Sequence, residues 1–209
     1  MEFANIKYMN KTGFFVISGN RDIKTEIIRK SIHLLIAFCP VMAAINKSFT
    51  VGVLAAGIFL YAVFEILRLL GIKVPVVSIL TAVASRPRDR GHFVMGPMTL
   101  GLGALFSFLF FQPLATAVGI YALAFGDSIA SLTGKLFGRN RPAFLQGKSI
   151  EGSLACFIAV YFAALMASGD FKISIIAAIT ASLTEALPLE DFDNLCMPLT
   201  VGLAVTALL

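Results

Sequence analysis

Apolar residues in this chain gather into long, nearly unbroken runs, and charged residues fall mostly in the stretches between them. Seven runs can be drawn, at roughly 31–46, 48–68, 93–111, 113–133, 150–168, 171–187 and 194–209. A helix rises about 1.5 Å per residue and the hydrocarbon core of a bilayer is about 30 Å thick, so runs of this length predict membrane-spanning helices. A shorter apolar piece, Val74 to Val83, is too short to span and is expected to lie re-entrant or at the interface. Residues 1–25 are mixed polar and lack the apolar core and small-residue cleavage site of a signal peptide; they read as a cytoplasmic or interfacial segment.

Composition agrees. Of 209 residues, 58% are hydrophobic and only 14% charged, with a mean hydropathy of +0.88. A soluble domain carries about a quarter charged residues, which excludes that class. The expected fold is all-α: a polytopic integral membrane helical bundle of about seven transmembrane helices, with residues 1–209 forming a single transmembrane catalytic domain. The net charge of +5 does not predict nucleic-acid binding, because the basic residues lie in the connections between runs. Anionic lipid headgroups and anionic substrates suit such loops better. Cys39, Cys156 and Cys196 all lie in apolar runs without metal-ligand spacing and read as small core residues.

Charge also orients the chain. With the N-terminus cytoplasmic, fifteen of the seventeen Lys and Arg residues fall on the inner side, leaving Lys47 and Lys172 outside. The positive-inside rule therefore predicts an N-in arrangement, most simply in a bacterial-type inner (cytoplasmic) membrane. The acidic residues follow the same side, with Asp170 the exception, so the chemistry is expected at the inner face.

The most informative residue is Asp127, inside the run that carries Gly126-Asp127-Ser128. An Asp in the middle of a membrane helix is unfavourable by roughly 2.5–3.5 kcal/mol and marks a functional site by default. A basic, glycine-containing loop follows, from Gly134 and Lys135 to Gly147-Lys148-Ser149-Ile150-Glu151-Gly152. Its backbone amides, hydroxyl and ammonium groups are the parts of an anion cradle at a helix start, although the spacing is not that of a P-loop. Small residues at 126, 130, 131 and 134 also allow close helix packing, which accounts for glycines but not for a carboxylate.

Three further clusters accompany it. Glu26, Arg29, Lys30 and His33 enter the first run, and their spacings of three, four and seven put Glu26, Lys30 and His33 on one helical face. Arg86, Arg88, Asp89, Arg90 and His92 precede a Gly96-Pro97 break; arginines of this kind suit phosphate oxygens, of a triphosphate or a lipid. Glu185, Glu190, Asp191, Asp193 and Asn194 join the last two runs. Glu190 and Asp191 read as a solvated turn, whereas Asp193, Glu185 and Asp127 are placed to hold Mg²⁺, which takes oxygen ligands. Glu65 and Arg68, three residues apart at a helix end, read as a structural ion pair.

At these residues the chain resembles a known family. The run GDSIASLTGKLFGRNRPAFLQGKSIEGSLACF, the opening EIIRKSIHL and the ending TEALPLEDFDNLCMPL resemble, in that order, three elements of the dolichol kinase, phytol kinase and CTP-dependent diacylglycerol kinase family. The central run is more distantly similar to the CDP-diacylglycerol synthases (phosphatidate cytidylyltransferases), whose closing signature is missing here. The resemblance implies a CTP-dependent, Mg²⁺-dependent lipid kinase that transfers the γ-phosphoryl group of CTP to the hydroxyl of a membrane lipid alcohol, polyprenol-, phytol- or diacylglycerol-like. On that basis Asp127 and Asp193 hold Mg²⁺. Lys148, Ser149, Gly147, Gly126, Ser128 and Lys135, with Arg88 or Arg90, meet the nucleotide. Arg29, Lys30, His33 and His92 face the lipid substrate, and Glu151 or Glu185 is the base or a further ligand. Two rival readings are a cytidylyltransferase making CDP-diacylglycerol and a small transporter or flippase using Asp127 as an ion site. Polar residues gathered at one face disfavour the transporter.

Overall fold

The computed structural model describes residues 6–9, 15–18, 20–72 and 91–209. Each of the seven apolar runs is helical there. The chain opens on a short antiparallel hairpin, β1 (Ile6–Met9) and β2 (Phe15–Ser18), pairing Ile6 with Ser18 and Met9 with Phe15. Beyond this hairpin every described element is helical, as the all-α expectation has it. The helices are α1 (Asn20–Leu35), α2 (Phe38–Ile45), α3 (Lys47–Leu69), α4 (Gly96–Phe110), α5 (Pro113–Leu136), α6 (Ile150–Ser168), α7 (Phe171–Ala186) and α8 (Asp193–Thr206). Four helical segments are long and apolar enough to cross a membrane: Thr25–Ile45, Lys47–Leu69, Pro113–Leu136 and Ile150–Ser168. Their outward side chains are apolar too, with Met166 90% and Ile45 86% exposed. Among water-facing helices that surface is an aggregation liability; against lipid it is at rest.

Proline places the first break. Pro40 has no N–H for the Ile36 carbonyl, and its ring crowds that carbonyl. The helix accordingly stops at Leu35 and restarts at Phe38, bridged by tighter bonds from Ile36 N to His33 O and Ala37 N to Leu34 O. Pro198, inside α8, likewise cannot donate to the Asn194 carbonyl. Gly103 of α4 leaves room for that carbonyl: a Cβ at Gly103 would lie 2.4 Å from Asn194 O.

Helix α5 is the centre of the bundle, with 67% of its most apolar window buried, against 11–22% for the other three long segments. One face meets α6, α7 and α8 through Ala115, Val118, Ala122, Val160, Ala177 and Val201; the other meets α1 and α4 through Ile120, Leu123, Ala124, Ile36, Leu100 and Phe108. The contacts use small residues, as expected where lipid removes the hydrophobic drive and close packing must hold helices together. Gly126 shows this well: a Cβ there would lie 2.6 Å from Val160 Cγ2 and 3.1 Å from Cys156 Sγ. The three cysteines are free, Cys156 fully buried at this seam.

Candidate active site

Halfway along α5 the helix widens into a π-helical turn, Ala122–Asp127. Such turns insert an extra residue and re-aim the side chains around it, and they recur at functional sites. Asp127 ends this turn and is 4% exposed. Its Oδ2 accepts from Lys30 Nζ of α1. His33 Nδ1 lies 3.2 Å from the same oxygen, at ion-pair distance but without the alignment of a hydrogen bond. The next side chain, Ser128, is buried with its hydroxyl unpartnered. A lone buried carboxylate is thus balanced by a lysine, with an imidazole and a hydroxyl next to it.

The α1 face foreseen from spacing is buried as a unit: Glu26, Lys30 and His33 are all 6% exposed or less. Glu26 accepts from Arg29 Nη2 and from Lys135 Nζ of α5, both at 2.6 Å. Lys135, expected at a phosphate, therefore ties α1 to α5. Beside Lys30 and His33 opens a cleft of about 460 Å³, counted to its open mouth. Arg29, Lys30 and His33 line one side of it; Gly96 and Pro97 at the start of α4, and Asp191, Asp193 and Asn194 at the start of α8, line the rest. Asn194 Nδ2 reaches Thr99 Oγ1 at 3.2 Å, holding the α8 wall to the α4 wall. Sequence spacing assigned Asp191 to a solvated turn, but the fold puts it on the cleft wall two residues from Asp193; that two-residue spacing was the available signal. Arg29 Nε is a buried donor without a hydrogen-bond partner here, and His33 Nδ1 has only its contact with Asp127.

The loop between α5 and α6 is braced mainly by its own residues. Arg141 donates to the carbonyls of Gly134 and Gly147. Gln146 and Gly147 both sit at positive φ, 45° and 98°, to turn the chain into α6. The Ser149 hydroxyl, expected at a phosphate, instead caps α6 by accepting from Gly152 N at 3.1 Å. Glu151, expected as base or ligand, accepts from Asn140 N at 3.1 Å and Asn140 Nδ2 at 3.0 Å and closes the loop. Glycines let the two helices touch here: a Cβ at Gly134 would lie 3.1 Å from Ser149 Oγ and 3.9 Å from Gly152 Cα, and one at Gly152 would lie 2.9 Å from Ala130 O.

A second polar pair lies at the end of α7. Glu185 is 7% exposed, accepts from Ser153 Oγ at 2.8 Å, and its Oε1 is 3.7 Å from Lys148 Nζ. The same ammonium donates to the Glu185 carbonyl. Ser153 closes the Gly147–Ser153 cluster in the sequence, where it has no assigned role; it follows Lys148 by five residues and lies in the first turn of α6.

Arg88 and Arg90 lie outside the described residues. His92 is exposed, and its carbonyl accepts from Arg68 Nη2 at 2.9 Å. The Glu65–Arg68 pair is structural, as read: Glu65 is fully buried, takes both bonds from Arg68, and accepts from Val94 N at 2.9 Å. It pins the segment that leads into Gly96. Among the described residues no three acidic, histidine or cysteine side chains converge to hold a metal by themselves.

Comparison with known proteins finds kinases. The chain is 24% identical to CTP-dependent diacylglycerol kinase 1 of Saccharomyces cerevisiae, over 91% of this chain and 76% of the relative. It is 30% identical to phytol kinase of Synechocystis, over 75% and 66%, and 29% identical to the chloroplastic farnesol kinase of Arabidopsis thaliana, over 92% and 69%. The chain belongs to this kinase family. No family model and no solved structure matches it.

Proposed function

We propose that the protein is a CTP-dependent lipid kinase working at the cytoplasmic face of a membrane, with seven spans and the N-terminus inside. One observation carries this reading: a single cleft in an apolar bundle combines Arg29, Lys30 and His33 with Asp191, Asp193 and Asn194, in a chain whose relatives are kinases of lipid alcohols by name. Phosphoryl transfer needs little covalent help; it needs positioning and charge stabilisation. The cleft offers both signs of charge within one space.

In this reading the γ-phosphorus of CTP gains a bond to the lipid hydroxyl oxygen and loses its bond to the β–γ bridging oxygen, so CDP leaves. Arg29 and Lys30 face the transferred group, while Lys148, and Arg88 or Arg90, hold the rest of the triphosphate. His33 stands where it can take the hydroxyl proton, with the Asp127 carboxylate behind its Nδ1; this replaces Glu151, which is occupied by Asn140. Mg²⁺ is bound by oxygen, commonly one or two carboxylates with waters and substrate phosphates. Asp191, Asp193 and the Asn194 amide on one wall fit that donor set, and the bound ion would neutralise phosphate charge. Asp127, engaged by Lys30 and His33, orients these two groups, and Glu185 steadies Lys148.

The test is an incubation of purified protein in detergent with Mg²⁺, a mixed lipid extract and CTP labelled at the α or γ phosphate. Label from the γ position in lipid, with CDP released, is the expected result. Label from the α position with pyrophosphate released identifies a cytidylyltransferase instead. No transfer of either label overturns both.

A further inference from the structure

Of the α1 group Glu26, Arg29, Lys30 and His33, Glu26 alone does not line the polar cleft. It lies against Arg29 instead, 6% exposed, and gives one oxygen to each of two cations. Oε1 accepts from Arg29 Nη2 and Oε2 from Lys135 Nζ near the end of α5, both at 2.6 Å. A carboxylate held at both oxygens, from two different helices, is fixed in orientation. Arg29 takes its own orientation from it. A guanidinium is a planar fork of five N–H donors, so holding one nitrogen constrains the direction of the others. Here Nη2 is engaged and Nε is buried without an acceptor in the protein, while the residue itself lines the cleft.

We propose that Glu26 is a positioning residue for phosphoryl transfer: it sets the Arg29 guanidinium so that its remaining donors meet the oxygens of the transferred phosphoryl group. The proposal rests on the kinase reading, and the bonds made and broken are the ones given there. Glu26 neither touches the substrate nor exchanges a proton. Its contribution is preorganisation. Charge on the equatorial oxygens of a phosphoryl group is met best by donors already aimed, because nothing then has to reorganise during transfer. An arginine on its long stem needs such a hold here, since the neighbourhood offers a rival carboxylate, Asp127, which Lys30 and His33 engage. Glu26 keeps Arg29 out of that competition. Lys135 explains why the clamp does not quench its own arginine. By taking Oε2 it draws on the same negative charge, which leaves the guanidinium charge uncancelled for the phosphate. The bond between Lys135 and Glu26 therefore serves the site as well as the packing of α5 on α1.

The test is a double-mutant cycle in detergent with Mg²⁺, γ-labelled CTP and the mixed lipid extract, on wild type, Glu26→Gln, Arg29→Ala and the two combined. A residue that acts through Arg29 has nothing left to lose once Arg29 is gone. Glu26→Gln is expected to lower kcat by about ten-fold or more, with KM for CTP within about two-fold of wild type, the pattern of an interaction made in the transition state. The combined variant is expected to match Arg29→Ala within about two-fold. A carboxylate that only braced α1 would add its loss to that of Arg29→Ala. Glu26→Asp guards against misfolding of Glu26→Gln. It keeps the charge but is one methylene too short to hold both partners, so it is expected to lose kcat in the same way, again with no further effect in Arg29→Ala. Wild-type kcat in both Glu26 variants, a loss confined to KM for CTP, or losses that multiply in the combined variants overturns the proposal. Absence of γ-label transfer by wild type overturns the kinase reading, and this role with it.

Discussion

Lys30 and Asp127 stand 97 residues apart in sequence and meet as a buried ion pair between α1 and α5. Neither helix tolerates its charge alone in an apolar bundle. Removing one partner of such a pair typically destabilises by about 3–5 kcal/mol, because the other charge stays buried and uncompensated, whereas replacing both by apolar groups is often neutral. Lys30→Met should therefore unfold at a clearly lower temperature than wild type in detergent. Lys30→Met combined with Asp127→Leu should recover most of that loss yet remain inactive. A double variant no more stable than Lys30→Met would show that the pair is not what the charges are stabilised by.

Asp127 and Asp193 are expected to separate in their metal dependence. If Asp127 orients Lys30 and His33, Asp127→Asn inserts into the membrane normally and loses turnover, with little change in the Mg²⁺ concentration for half-maximal rate. Asp193→Asn, on the cleft wall, raises that concentration by about ten-fold or more, equivalent to about 1.4 kcal/mol. A shift in Mg²⁺ requirement for Asp127→Asn in place of Asp193→Asn would return Asp127 to the metal. Near-wild-type turnover in Asp127→Asn would remove it from the site.

Helices and the α1 face were legible in the sequence because they depend on local periodicity: seven apolar runs for the helices, and spacings of three, four and seven for Glu26, Lys30 and His33. The partners were not. Lys135 reaches Glu26 across 109 positions and Lys148 reaches Glu185 across 37, and only the packing of α5 on α1 and of α6 on α7 decides those meetings. Local chemistry also leaves open which of two uses a residue type serves. Ser149 can hold a phosphate or cap a helix, and a serine at a helix start three residues before Gly152 caps it. Glu151 can be a base or close a loop, and in the fold it accepts from Asn140. Asp191 reads as one more acid in a turn until the fold sets it across the cleft from α1.

The glycines between α5 and α6 make a graded series. Gly138→Ala puts a Cβ 2.3 Å from Gly134 O and 2.6 Å from Ser149 Oγ, so backbone must move; overpacking of this kind costs about 1–3 kcal/mol or more. Gly147→Ala meets nothing within 4 Å but holds φ at +98°, a strain of roughly 1–2 kcal/mol. Gly57→Ala in α3 has open space and ordinary φ inside a helix and should hold or slightly raise the unfolding temperature. Thermal unfolding of the three variants in detergent should rank Gly138 below Gly147 below Gly57. Equal values for Gly138 and Gly57 would mean that the chain after α5 is not packed on Ser149 as described.

Glu65 offers the sharpest test of how the cleft wall is held, because it acts at a distance from the cleft. Its carboxylate takes the Val94 amide at 2.9 Å and two bonds from Arg68, and Arg68 also holds the His92 carbonyl. Tyr61 adds a bond from its hydroxyl to Val94 O at 2.7 Å. Two residues on, Gly96 and Pro97 form the α4 side of the cleft. Glu65→Ala strips this support and leaves the Arg68 charge and the Val94 amide to find other partners, a loss of about 1–3 kcal/mol for the amide alone. The Val94 amide should then exchange its hydrogen much faster than in wild type, while amides in the middle of α5 keep their protection. Donor KM should rise with the loosened wall, whereas Glu65→Gln, which keeps an acceptor for Val94, should retain most of the protection. Unchanged exchange at Val94 in Glu65→Ala would show that the wall is held by something other than α3.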